Sequence, residues 1–128
     1  MKKPHDDWLY LAHQDLLFAK AGLREGFYSH VCFLAHQAVE KSMKGYLVSG
    51  KNDYPRSHGL VSLHRLMAVN WLDKHLVAIK KLSEFYVPLR YPDAFPGTLP
   101  EGLPDKDDAT NALQWAESIV AEIQKHLK

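Results

Sequence analysis

Apolar residues recur along most of this chain at steps of three and four, the period of a helix that buries one face. Trp8, Leu9, Ala12, Leu16, Ala19 and Leu23 keep that step in the first segment. Asp6 and Asp7 stand where carboxylates favour a helix N-terminus, and Gly22 and Gly26 loosen its end. A second helix is expected from near Phe27 to Ser29 until about Val48, where Gly50, Asn52, Asp53 and Pro55 break it. A short third helix is expected from about His58 to Val69. A fourth, from about Asp73 to Tyr86, turns Leu76, Ile79, Leu82, Phe85 and Tyr86 inward. The last begins at Asp105, a good N-cap, with Asp107 and Asp108 in its first turn. It continues through Ala109, Ala112, Leu113, Ala116, Ile119, Val120, Ile123 and Leu127. Before it, the stretch VPLRYPDAFPGTLPEGLPD holds Pro88, Pro92, Pro96, Pro100 and Pro104, and no regular helix survives that. The pattern predicts an all-α, up-and-down antiparallel bundle of four long helices and one short one. A long Pro-rich loop precedes the last helix.

The second helix is the most apolar and also carries charge. On a helical wheel Phe27, Val31, Ala35, Ala38, Val39, Ser42 and Tyr46 fall on one side, the expected core face. His36, Glu40 and Lys44 form a row on the other side, with Gln37 and Lys41 beside it. That row reads either as a solvated face of neighbouring pairs or as an interface or binding groove. Phe33, Leu47 and Val48 project into the same sector and favour the second reading. The small residues Ala35, Ala38, Ser42 and Gly45 would let another helix come close.

Composition narrows the class. The chain has 128 residues, suited to one domain spanning 1–128, and 46% of them are apolar, enough for a packed core. A formal net charge of +1 gives no global basic field for nucleic acid, though it leaves room for a local patch. Cys32 is the only cysteine, so an internal disulfide is impossible and a reducing, cytoplasmic setting is expected. It reads as a small core residue rather than a nucleophile. No apolar run approaches the roughly 20 residues of a membrane span, and no signal peptide is evident.

Taken together, "DWLYLAHQDLLFAKAGL", "FYSHVCFLAHQAVEKSMKGYLV", "SHGLVSL", "FYVPLRYPDAF" and "DDATNALQWAESIV" resemble the HEPN domain family across the whole chain. These are helical modules often found beside minimal nucleotidyltransferases. The resemblance implies a four- to five-helix bundle that commonly dimerises, of the stand-alone type encoded near such a partner. Members have been linked to nucleotide binding, RNA cleavage and toxin–antitoxin pairs, activities that do not transfer as a package.

Ribonuclease members carry an Arg, then four to six residues, then a His, late in the bundle. Here Arg24 and His30 have suitable spacing, but they span the first connection, and Phe33 stands near where a Tyr would follow. Arg90 has no His until His126. The late ribonuclease motif is therefore missing, and no catalytic residue is assigned. What remains is a polar constellation for a nucleotide or phosphate: Lys41, Lys44, His58, Tyr86, Arg90 and Tyr91, with Glu40 and Asp93 as structural anchors. Pro88 and Pro92 would stiffen the backbone around Arg90, whose planar fork suits a phosphate or a carboxylate. The same residues also read as architecture, with Arg90 pinning the loop to Glu40 or Asp93. Eight His show no ligand signature, so neither metal nor cofactor is expected. The expected partners are a second copy, a co-encoded nucleotidyltransferase-type protein, and a nucleotide or RNA, with no membrane. The alternative is a toxin-type, metal-independent ribonuclease of a toxin–antitoxin pair.

Overall fold

A computed structural model describes residues 2–50, 59–85 and 102–127. All regular structure among them is helical: α1 (Asp6–Glu25), α2 (Tyr28–Ser49), α3 (Leu60–Met67), α4 (Leu76–Ser83) and α5 (Lys106–Lys125). A 3-10 turn, Asp73–His75, leads into α4. The expected all-α bundle is what the chain forms. The Pro-rich stretch and the turn after α2 lie largely outside the described residues.

The ends of the helices follow from their residues. Gly26 adopts the left-handed conformation (φ 84°), which costs a residue without Cβ little. Its N–H donates to the Leu23 carbonyl, and the next N–H, of Phe27, donates to Gly22. These two bonds close α1 and turn the chain back within two residues. At the start of α5 the Asp105 carboxylate accepts the Asp108 N–H at 2.9 Å. Asp108 reciprocates, accepting the Asp105 N–H at 3.0 Å.

α1 and α2 run antiparallel in close contact. A Cβ built on Gly45 would stand 3.0 Å from both Trp8 Cβ and Leu9 Cδ2, so the missing side chain is what admits α1. α5 is antiparallel to α1, as the pairs His13–Gln124 (2.8 Å) and Lys20–Glu117 (3.0 Å) show. α2 and α5 thus lie parallel, and the α3–α4 segment supplies the return between them. The core is Leu9, Ala12 and Leu16 of α1, Val31, Ala35, Val39 and Met43 of α2, Leu60 and Leu63 of α3, Ile79 and Leu82 of α4, and Ile119 and Ile123 of α5. Trp71 closes one end, stacked on His126 with ring centroids 3.8 Å apart and met edge-on by Tyr46.

Phe27 departs from expectation: it is 58% exposed rather than in the core. Its backbone (φ −88°, ψ 63°) is not helical, so the wheel that placed it inward does not reach it.

Candidate functional site

The polar row of α2 is not a solvated face. His36 is 1% exposed, Glu40 7% and Lys44 5%, so all three sit inside the fold. Lys44 Nζ donates to Glu40 Oε2 at 2.8 Å, one turn apart, in the favourable order with Glu nearer the N-terminus. His36 Nδ1 lies 3.1 Å from the Leu82 carbonyl of α4. A carbonyl only accepts, so Nδ1 carries a proton, and Nε2 faces Glu40 Oε1 at 3.6 Å. The row therefore ties α2 to α4, through a histidine to a backbone oxygen 46 residues away. Taking a carboxylate and an ammonium out of water is costly, and close pairing is what makes it tolerable.

Lys41 points the other way, to α1. Its Nζ donates to Asp15 Oδ2 at 2.8 Å in a half-buried setting. Of the predicted site residues, Glu40, Lys41 and Lys44 are thus placed, and both lysines already hold a carboxylate. His58, Tyr86, Arg90, Tyr91 and Asp93 lie outside the described residues. Asp15 and the Leu82 carbonyl were not legible as partners, because both pairings are set by packing between helices.

Cys32 is fully buried, and desolvation, aided by the carboxylates of Asp108 and Asp105, pushes its thiol up to about 12. It is a core residue and no nucleophile. Among the described residues no three His, Cys, Asp or Glu gather as metal ligands. No helix among them is long and apolar enough to cross a membrane.

A second feature lies on α1. Tyr10, Leu11, Leu17 and Phe18 stand on its outer face, and Phe18 is 68% exposed. With Phe27 they lead to an almost wholly apolar groove of about 460 Å³, lined by Phe18, Gly22, Phe27, His30, Phe33 and Leu34. Single exposed apolar residues are ordinary, but a contiguous set beside a groove marks an interaction surface. The spacing of 10, 11, 17 and 18 was visible in the sequence as a second helical stripe. Arg24 and His30 are both exposed, and His30, which lines the groove, meets the Phe27 ring edge-on with centroids 6.4 Å apart.

A family model described as "HEPN domain" matches residues 5–126. A protein of Methanocaldococcus jannaschii named "Putative toxin MJ1304" is 30% identical, the match covering 91% of this chain and 84% of that protein. The crystal structure of TT1696 from Thermus thermophilus superposes with a TM-score of 0.81 at 29% identity, covering 98% of this chain and all of that one. The structure of ST0689, described as an archaeal HEPN homologue, gives 0.77 at 28% identity over 99% of this chain and all of its own.

Proposed function

The chain belongs to the HEPN family, and from that premise we propose that it is a non-catalytic, dimer-forming module that acts by holding a partner protein. The partner class that fits is a minimal nucleotidyltransferase. One observation carries the reading: the apolar stripe and groove where α1 meets α2. Each large side chain there leaves on the order of 100 Å² of apolar surface in water, and burying such surface yields about 25 cal/mol per Å². A two-fold contact suits the feature, because the patch contains both protruding rings (Phe18, Phe27) and the groove that would receive them.

Sedimentation analysis tests this. The wild-type chain should sediment as a dimer, and Phe18→Glu and Phe27→Glu should yield monomers with unchanged helical content. A wild-type monomer across the accessible concentration range, with no binding to a co-encoded nucleotidyltransferase, ends the proposal.

The proposal includes a phosphate-binding role for Lys41, Lys44, His58, Tyr86, Arg90 and Tyr91, with Glu40 and Asp93 as anchors. An incoming phosphate must then compete with Asp15 for Lys41 and with Glu40 for Lys44. Weak binding is expected, and Arg90 would be its main cation. Calorimetry with ATP on the wild type and on Arg90→Ala decides it, since heat that is absent or unchanged in the variant removes the site.

The word toxin in the name of the Methanocaldococcus relative favours a second reading, a toxin, and the family resemblance would make RNA its target. His30 lines the groove and Arg24 is exposed in the last turn of α1, so a dimer formed there would bring at least His30 near its copy. Incubation with total RNA, beside Arg24→Ala and His30→Ala, tests it. Cleavage undiminished in both variants excludes the pair.

A further inference from the structure

Among the described residues, His30 is the only ionisable side chain lining the groove where α1 turns into α2. The other walls are apolar: three phenylalanine rings, Val31, Leu34 and the bare backbone of Gly22. His30 is exposed, meets the Phe27 ring edge-on, and forms no ion pair among the described residues. In the single chain, water can therefore solvate its ring in either protonation state. A second copy seated on the groove would remove that water and set phenylalanine rings in its place. Burial without a counter-charge disfavours an imidazolium far more than a neutral imidazole.

The surrounding elements bring no carboxylate into the groove. Across the turn, α1 ends in Arg24 and Glu25, both exposed and of opposite sign. The first turn of α2 holds no acidic residue, and Tyr28 is its other ionisable group. α5 approaches α2 from the far side, where Asp105 and Asp108 act on Cys32, about 200° around the helix from His30. α4 meets α2 at His36, about 240° on from His30, and ends at Glu84. The N-terminal dipole of α2 disfavours a cation at His30 and the adjoining C-terminus of α1 favours one, so desolvation decides the sign.

We propose that protonation of His30 dissolves the two-fold contact at this groove, making the module a dimer at neutral pH and a monomer in mild acid. This rests on the dimer reading above and adds its regulation. The coupling is reciprocal: association lowers the ring's affinity for a proton, so a bound proton lowers the affinity of the copies for each other. An ordinary imidazole titrates near about pH 6.5, and each dimer buries two. A tenfold preference for each neutral ring makes association about 25-fold weaker at about pH 5.5 than at about pH 7.5.

Sedimentation equilibrium of the full chain from about pH 5.5 to 8.5, at constant ionic strength, tests this, with circular dichroism confirming the fold at each pH. The wild-type dimer should weaken about 25-fold on acidification. His30→Phe, which keeps a ring and cannot be charged, should dimerise equally at every pH. His30→Lys, which carries a charge throughout, should be monomeric at neutral pH. A wild-type dimer indifferent to pH, or a His30→Phe dimer as acid-sensitive as wild type, would overturn the switch and leave the dimer standing. A wild-type monomer even at about pH 8.5 would overturn the dimer reading itself, and the switch with it.

Discussion

Replacing Glu40 by Ala asks what the buried row of α2 contributes. The substitution leaves the Lys44 ammonium, 5% exposed, without the carboxylate that it meets at 2.8 Å. Removing one partner of a buried pair costs about 3–5 kcal/mol, because the remaining charge stays desolvated. Unfolding entropy of about 2.1 cal/mol/K per residue makes 1 kcal/mol worth roughly 4 °C in a chain of this length. Glu40→Ala should therefore lower Tm by about 11–18 °C, on the same two principles. The double variant Glu40→Leu, Lys44→Met removes both charges and keeps apolar volume, and it should recover most or all of that loss. Lys2→Ala is the control: Lys2 and Asp7 pair at 3.1 Å with both side chains in water, and losing that pair should cost at most about 1 kcal/mol. Thermal and urea unfolding followed by circular dichroism reads all three, at low and high salt. Salt should erase the Lys2 effect and spare the Glu40 effect. If Glu40→Ala costs no more than Lys2→Ala, the row faces water and α2 is not packed as described.

Gly45→Ala should destabilise by about 1–3 kcal/mol, since its new methyl meets Trp8 Cβ and Leu9 Cδ2 at 3.0 Å; denaturant midpoints measure this. Cys32 should resist alkylation at mildly alkaline pH in the native protein and react at once in urea, because burial holds its thiol near 12. Asp105→Ala removes the side-chain acceptor of the capping box, keeps the backbone N–H that donates to Asp108, and should cost about 1 kcal/mol. The hydrogen bond from Lys74, at 2.6 Å, holds the Glu122 carboxyl below its ordinary value. That stabilisation is present above the ordinary carboxylate range and lost as pH falls through the depressed folded value. Urea midpoints of wild type and Lys74→Ala should consequently differ at neutral pH and converge in acid.

What the sequence disclosed and what it concealed divide along a physical line. Helix existence and ends were legible because their causes are local. The three- and four-residue steps, the left-handed Gly26 and the Asp105–Asp108 box each act within a few residues. The polar row of α2 was legible as a row, yet its burial was not. What covers it includes α4, whose Leu82 carbonyl accepts the His36 Nδ1–H hydrogen bond from 46 residues away. No window along the chain contains that pairing. The apolar stripe of α1 is a different case, because the information was present and ambiguous. Leu9, Ala12, Leu16 and Ala19 satisfy one side of the helix, while Tyr10, Leu11, Leu17 and Phe18 remain for the other. A helix whose core needs are met by one stripe and which still carries a second stripe of large apolar groups has more apolar surface than one fold can bury. Phe27 belongs to this surplus. At a non-helical N-cap its ring swings outward beside Phe18, the two flanking the same groove. The excess on α1 and the outward ring at the start of α2 thus meet in one exposed apolar surface, the surface that the proposed dimer would cover.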